Sequence, residues 1–118
     1  MDVRRSDFDL EHGRYSYFVC FRPGGCDEAG EQLQTLPVLV SLSVSENGDL
    51  ADLSFELPKT CRSDAALSFI RKESTAQAVN AHVFVTVPGL SGDAVLNSSA
   101  DLQLDPAGRI VGVVIYSH

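Results

Sequence analysis

Three cysteines and one histidine are the residues of this chain with the most versatile chemistry. Cys20 and Cys26 are six residues apart across Arg-Pro-Gly-Gly, and Cys61 and His82 follow later. Thiolate and imidazole are ligands that zinc takes, although this spacing matches no finger or ribbon pattern. A metal site at Cys20, Cys26 and Cys61 is therefore one hypothesis, and cysteines that only pack in a core are the other. We expect the second, with no cofactor bound.

Cys61 is also the best candidate for a catalytic nucleophile. Lys59 and Arg62 flank it, and it precedes a predicted helix. Positive charge and a helix start both favour the thiolate form of a cysteine. His82 is the only histidine in a predicted core strand, so it is the candidate base. The enzyme hypothesis therefore requires Cys61 and His82 to lie within hydrogen-bond reach.

The composition bounds the class of protein. The chain has 118 residues, 44% of them hydrophobic, which suits one domain over 1–118. A net charge of −7 argues against nucleic acid or an anionic membrane as a partner.

The N-terminal segment lacks the apolar stretch of a secretory signal, and the odd cysteine count predicts reduced thiols in the cytoplasm. A secreted domain with a Cys20–Cys26 bridge is the alternative.

Alternating apolar and polar residues predict a sheet protein. A helix is predicted over 63–72, where Ser63 can cap the first turn, and a loop over 22–35. The stretch 73–80 fits either helix or loop. We therefore expect a β-rich α+β fold, with six to seven mostly antiparallel strands in a curved sheet or small sandwich and one helix. The main predicted strands are 14–21, 38–44, 51–57, 81–87, 100–104 and 109–116.

Two hairpins of the sequence match at an offset of 60 residues. Ser45 aligns with Asp105 and Gly48 with Gly108, in the same apolar spacing. The pattern predicts a type I turn closed by a left-handed glycine. Two related halves, 8–57 and 63–116, are one interpretation, and chance similarity between two common hairpins is the other.

The stretches 8–19 and 101–115 resemble the opening and closing segments of DUF2283, a family of small bacterial proteins. The closing segment agrees better, and its matching residues are Asp105, Gly108, Arg109, Ile110, Val111 and Gly112. The acidic residue that follows this glycine in the family is replaced by valine, and the opening segment lacks the family's proline and second acid. The resemblance implies a compact β-rich bacterial domain and no particular activity.

The last predicted strand is apolar on both faces, which is unusual for a strand with one face in water. Ile110, Val114 and Tyr116 form its outer side, and Phe18 and Phe84 point outward from two other strands. One short helix covers only part of a sheet face, so we expect a second copy of the chain to cover the rest.

The sequence thus favours a small, soluble, non-enzymatic binding or interaction module that forms a homodimer. Its protein or small-ligand partner is not identified by any motif. The alternative is a small enzyme or metal-binding protein that uses Cys61 and His82.

Overall fold

The computed structural model describes residues 1–26, 32–73 and 75–117, so part of the predicted loop 22–35 lies outside the described residues. Eight antiparallel strands form one sheet in the order β1-β2-β8-β7-β3-β4-β6-β5. The strands are β1 (Asp2–Asp9), β2 (Arg14–Cys20), β3 (Gln34–Val44), β4 (Leu50–Glu56), β5 (Ala76–Val79), β6 (His82–Thr86), β7 (Ala94–Leu104) and β8 (Ile110–Tyr116).

The predicted fold class was wrong in two respects. The described chain has eight strands rather than six or seven, and its only helical segments are single 3₁₀ turns at Lys59–Cys61 and Ile70–Lys72. Together the strands form an open half-barrel rather than an α+β fold. The sheet curls around one core.

The pairing of β3 with β7 is the longest in the sheet. It runs over eleven residue pairs, from Gln34 opposite Leu104 to Val44 opposite Ala94. Side chains alternate between the two faces of a strand, so every second residue of this pair points to the core. The buried members are Val40, Leu42, Val44, Ala100, Leu102 and Leu104.

The segment 57–73 crosses the inner side of the half-barrel and fills it. Leu67 and Ile70 belong to the core, and Ser63 Oγ accepts the backbone N–H of Ala66 at 3.1 Å, as a cap would. The predicted helix nevertheless does not form. The carbonyl of Ala66, which a helix would offer to Ile70, instead accepts the N–H of Ile110 at 2.9 Å. A tertiary hydrogen bond therefore competes with local helix formation and wins.

The stretch 73–80 was predicted as helix or loop, but β5 occupies half of it, and Ser74 lies outside the described residues. Asn80 and Ala81 have φ values of 49° and 69° and connect β5 to β6. Two consecutive positive φ angles are typical of the two-residue hairpin turn that follows the twist of a sheet. The turn therefore folds β5 back along β6 as the last strand of the sheet.

The two outer strands of the sheet approach each other at one end. The amino group of Met1 lies 3.0 Å from Glu73 Oε2, and Thr75 Oγ1 lies 3.9 Å from Met1 Sδ. These contacts join the start of β1 to the start of β5. They hold the half-barrel curled around its core.

The pairing pattern has an internal two-fold relation. β3 and β4 are matched by β7 and β8 at an offset of 60 residues in every strand boundary. β2 lies beside β8 as β6 lies beside β4, and β1 and β5 are the two outer strands. The strands met from one edge of the sheet, β1, β2, β8 and β7, are therefore equivalent to those met from the other edge, β5, β6, β4 and β3. One half is the continuous run β3–β6, whereas the other combines β7 and β8 with β1 and β2.

The two matching turns have the geometry that the sequence predicts. Gly48 and Gly108 have φ values of 86° and 81°. Their N–H groups donate to the carbonyls of Ser45 and Asp105, each at 2.9 Å. Each turn is followed by a separate bulge, because the register skips Ala51 in β4 and Val111 in β8. Common ancestry of the two halves stays a prediction.

Asp105 distinguishes one turn from the other because its carboxylate is buried. It accepts the backbone N–H groups of Arg109 at 2.9 Å and Ala107 at 3.0 Å, and the Arg109 side chain at 2.8 Å. Arg22, itself mostly buried, lies 3.9 Å away. Burial alone raises the pKa of this carboxyl group, but the hydrogen bonds and charge of Arg109 outweigh it and lower the pKa below 3.8.

We expect Asp105→Asn to lower the free energy of unfolding by about 2 kcal/mol at pH 7. The native pKa is depressed, so the stabilisation is present above the unfolded pKa of about 3.9 and is lost as the pH falls through the native value. Urea unfolding at pH 7 and at pH 2 measures both effects, and the difference between the two proteins shrinks at pH 2. Ser45→Ala is the matched control and costs about 1 kcal/mol or less. Equal stability of Asp105→Asn and the unchanged protein at pH 7 contradicts this account.

Candidate functional site

The outer face of the sheet is not covered by any described part of the chain. Its centre is Leu39 on β3, directly opposite Ser99 on β7. Leu39 is 81% exposed and Val95, on the same face, is 74% exposed. Large apolar side chains this exposed at the middle of a sheet are candidates for contact with a partner or ligand.

The internal two-fold relation passes through the Leu39–Ser99 pair and divides the outer face into two halves. On one side β4 and β6 present Ser54, Glu56 and His82. At the equivalent positions on the other side, β8 and β2 present Val114, Tyr116 and Ser16. The buried strand residues of both halves are apolar apart from Ser98, whereas the outer residues differ in chemistry. The strands of the two halves are paired in the same way, so the outward side chains are what distinguish one half from the other.

We call the first region the polar trough. It is an open groove of about 500 Å³, and its lining includes Leu39, Ser41, Ser54, Glu56, His82 and Asn97. It continues into a second groove of about 290 Å³, which shares Ser41 and Ser54 and reaches Phe84 and Val95. The floor therefore carries hydroxyl groups, and apolar side chains stand at both ends.

We call the second region the apolar half, and it is formed by Pro37, Phe18, Val114 and Tyr116. Beside Leu39, Pro37 and Tyr116 line a groove of about 400 Å³. Phe18 lies across Gly112, where an added Cβ would come within 3.2 Å of the ring and 2.8 Å of the Val19 carbonyl. A glycine at this point of β8 therefore allows the ring to lie close to the sheet.

Tyr116 adds a polar edge to the apolar half. Its hydroxyl donates to Asp101 Oδ2 at 3.2 Å, across the pair formed by β7 and β8. Burial raises the pKa of this phenol, and the negative charge of Asp101 raises it further. The hydroxyl therefore stays protonated at neutral pH and orients the ring over the sheet.

The structure does not bring Cys61 and His82 together. Cys61 is 1% exposed within the core, at the end of the 3₁₀ turn after β4. His82 is exposed on the outer face, opposite Glu56, and stacks against Phe84 with ring centroids 6.0 Å apart. The thiol and the imidazole thus lie on opposite faces of the sheet. This placement does not provide the base that the enzyme hypothesis requires.

The predicted metal ligands Cys20, Cys26 and Cys61 do not form a metal site either. Cys20 and Cys26 form a disulfide, so neither has a thiolate to offer. Cys61 is the one free cysteine, and it is buried. In the described ranges no group of three or more His, Cys, Asp or Glu side chains is arranged to hold a metal ion. The expectation of three reduced thiols is corrected by the Cys20–Cys26 bond.

Four of the five predicted interface residues lie on the outer face, namely Phe18, Phe84, Val114 and Tyr116. Ile110 does not, because it is fully buried in the core. The shift in register beside Leu104 places both Ile110 and Val111 inside, which strict alternation does not predict. Sequence reasoning missed Leu39, although an apolar residue between Val38 and Val40 in an alternating strand was a signal of it.

The comparisons with known proteins add no relative to this description. No family model, curated protein or solved structure matches the chain. Among the residues that the structure describes, no helix is both long and apolar enough to cross a membrane.

The placement of the cysteines predicts how many thiols a reagent can reach. We expect an aromatic disulfide reagent to label no thiol in the folded protein and one thiol per chain after denaturation without reductant. The reason is that Cys61 is enclosed by the core and the other two cysteines are bonded to each other. Reduction before denaturation should raise the number to three. Rapid labelling of Cys61 in the folded protein would contradict its burial.

Proposed function

We propose that this chain is a non-enzymatic interaction module that binds a second copy of itself through the apolar half of its outer face. The observation that carries the proposal is a row of side chains across four neighbouring strands. Asp101, Val114, Phe18 and Arg4 stand opposite one another in succession on β7, β8, β2 and β1. Two apolar groups therefore lie between a negative and a positive one.

This row is complementary to itself. Consider a second copy whose outer face lies against that of the first, related to it by a two-fold axis that runs parallel to the strands between Val114 and Phe18. This axis reverses the order of the row in the second copy. Val114 then meets Phe18 of the other copy, and Asp101 meets its Arg4. Such an isologous contact uses the same patch on both copies, as most homodimers do. Opposite charges at the two ends favour this register over a shifted one.

The size of the apolar half indicates a reversible dimer. Four strands spaced by about 4.8 Å, each contributing about six residues of about 3.3 Å, define a patch of about 20 Å by 20 Å on each copy. The area of this patch is smaller than the about 800 Å² that each partner buries in a standard stable complex. We therefore expect a dissociation constant of about 10 μM.

The proposed compartment follows from the cysteines. The odd cysteine count predicts a cytoplasmic protein, whereas a bond between Cys20 and Cys26 is typical of oxidising compartments. We favour an oxidising compartment because no described cysteine is both free and accessible. Counting thiols in protein isolated under acid quenching from the cells that make it tests this, since three free thiols would instead support the cytoplasm.

We expect Val114→Asp to abolish self-association, because a carboxylate would have to be desolvated at the centre of the contact. Sedimentation equilibrium of the unchanged protein should give a mass that rises from 12.7 kDa towards twice that value with concentration. The variant should stay at 12.7 kDa. Ser54→Asp is the matched control, because it places the same charge at the equivalent position of the polar trough. A monomer at all concentrations, or equal effects of both substitutions, would contradict the proposal.

The charged ends of the row give a second prediction. Arg4→Glu should weaken the dimer by about fivefold to tenfold, since it places two like charges together in the proposed register. Combining it with Asp101→Arg should restore most of the affinity, because the two ends are then exchanged. Asp101 also accepts a hydrogen bond from the Tyr116 hydroxyl, which Asp101→Arg removes. The single variant Asp101→Arg is therefore measured as well, to give the effect of losing this hydrogen bond. No recovery in the double variant relative to both single variants would exclude this register.

A further inference from the structure

The polar trough carries hydrogen-bonding groups that the protein itself does not use. In the described part of the chain, the side chains of Ser41, Ser54 and Asn97 make no hydrogen bond to another protein group. The imidazole of His82 stacks on the ring of Phe84, with the ring centroids 6.0 Å apart. Glu56 adds a carboxylate that Arg62 approaches at 3.4 Å, which leaves it able to accept further bonds.

The apolar side chains of the trough are arranged around these polar groups. Leu39 stands at one end and Phe84, 44% exposed, at the other. A ligand that fits must therefore offer hydroxyl groups to the floor and apolar C–H surfaces to the ends. Sugar rings have this combination, because their hydroxyl groups point outward from the ring while their faces carry C–H bonds.

The topology disfavours an extended peptide as the occupant. β3, β4, β6 and β7, which form the trough, each have a neighbouring strand on both sides. Their backbone N–H and C=O groups are used within the sheet, so a peptide cannot add to them as a further strand. Recognition in the trough must instead use side-chain hydroxyl, amide and carboxylate groups. These groups match a polyhydroxylated ligand better than a peptide backbone.

The charge of the trough indicates a neutral ligand. Glu56 is in the trough, and Asp52 beside it accepts from Ser43 Oγ at 2.8 Å. The whole chain has a net charge of −7. Phosphate, sulfate or uronic acid groups would be repelled, whereas neutral sugar hydroxyls can donate to these carboxylates.

We propose that the polar trough binds a neutral oligosaccharide of two to four rings. The hydroxyl groups of the sugar would contact Ser41, Ser54, Glu56, His82 and Asn97, and its C–H faces would lie on Leu39 and Phe84. This inference stands independently of self-association, because the trough lies on the other half of the outer face. In the proposed dimer, the β1 strand of the partner copy ends over β7. The trough therefore lies beyond this edge and is not covered by the partner.

The chain provides its own control for this site. The equivalent positions of the apolar half hold Val114 and Tyr116 where the trough has Ser54 and Glu56. The double substitution Ser54→Val with Glu56→Tyr therefore gives the trough side chains that the same backbone already accommodates. His82→Ser copies Ser16 in the same way. Val114→Ser is the matched substitution outside the trough.

The test uses the folded full chain labelled with ¹⁵N, titrated separately with cellotriose, maltotriose and tri-N-acetylchitotriose. We expect at least one of them to shift the amide resonances around Ser41, Ser54 and Asn97, with half-saturation below about 10 mM. The Ser54→Val, Glu56→Tyr protein and the His82→Ser protein should each lose about tenfold or more in affinity, and Val114→Ser should lose less than about twofold. The spectra of the free variants show whether each one is folded.

Three results would overturn the proposal. The first is the absence of saturable shifts with all three sugars up to about 50 mM. The second is an equal response to sorbitol, which has the hydroxyl groups without the ring. The third is binding that both folded trough variants retain in full. Loss of self-association in Val114→Asp with sugar binding intact would separate this site from the proposed dimer contact.

Discussion

The pairing of β3 with β7 is the interaction on which the rest of the structure depends. Eleven residue pairs hold these two strands together, and each then carries one further strand on its other side. The two-fold relation of the sheet passes through the middle of this pairing, at Leu39 and Ser99. The core beneath and the two halves of the outer face are therefore all set by one register, and a slip of one residue would exchange the buried and exposed sets.

The inner and outer faces of this sheet are under different constraints. Inside, most equivalent positions hold apolar residues, such as Leu42 and Leu102 or Leu53 and Val113, because they pack in one core. Outside, water accepts nearly any side chain, so Ser54 and Val114, or Glu56 and Tyr116, can differ without cost to the fold. This difference is why the outer face, rather than the buried cysteine, supplies the candidate sites.

Much of the sheet was predictable because alternation and turn chemistry are local properties. The turns at Gly48 and Gly108 and the inward face of Tyr17 and Val19 follow from the sequence. The missing helix was not predictable, since its loss depends on a hydrogen bond from Ile110, far away in the chain. The trough was not predictable either. Its residues come from four strands, and their meeting depends on strand order, which no local pattern encodes.

The discontinuous half of the sheet has a consequence for synthesis of the protein. The hairpin of β1 and β2 is made before the other described strands, yet among them its further neighbour in the sheet is β8, which comes after all of them in the chain. Until β8 has been made, one edge of β2 therefore lacks its partner, while β3–β6 can already assemble as a continuous unit. Charged residues along β1, such as Arg4 and Arg5, reduce the tendency of such a waiting hairpin to pair with other nascent chains. The order of synthesis thus separates an early unit from a later step in which β8 joins β2 to the rest of the sheet.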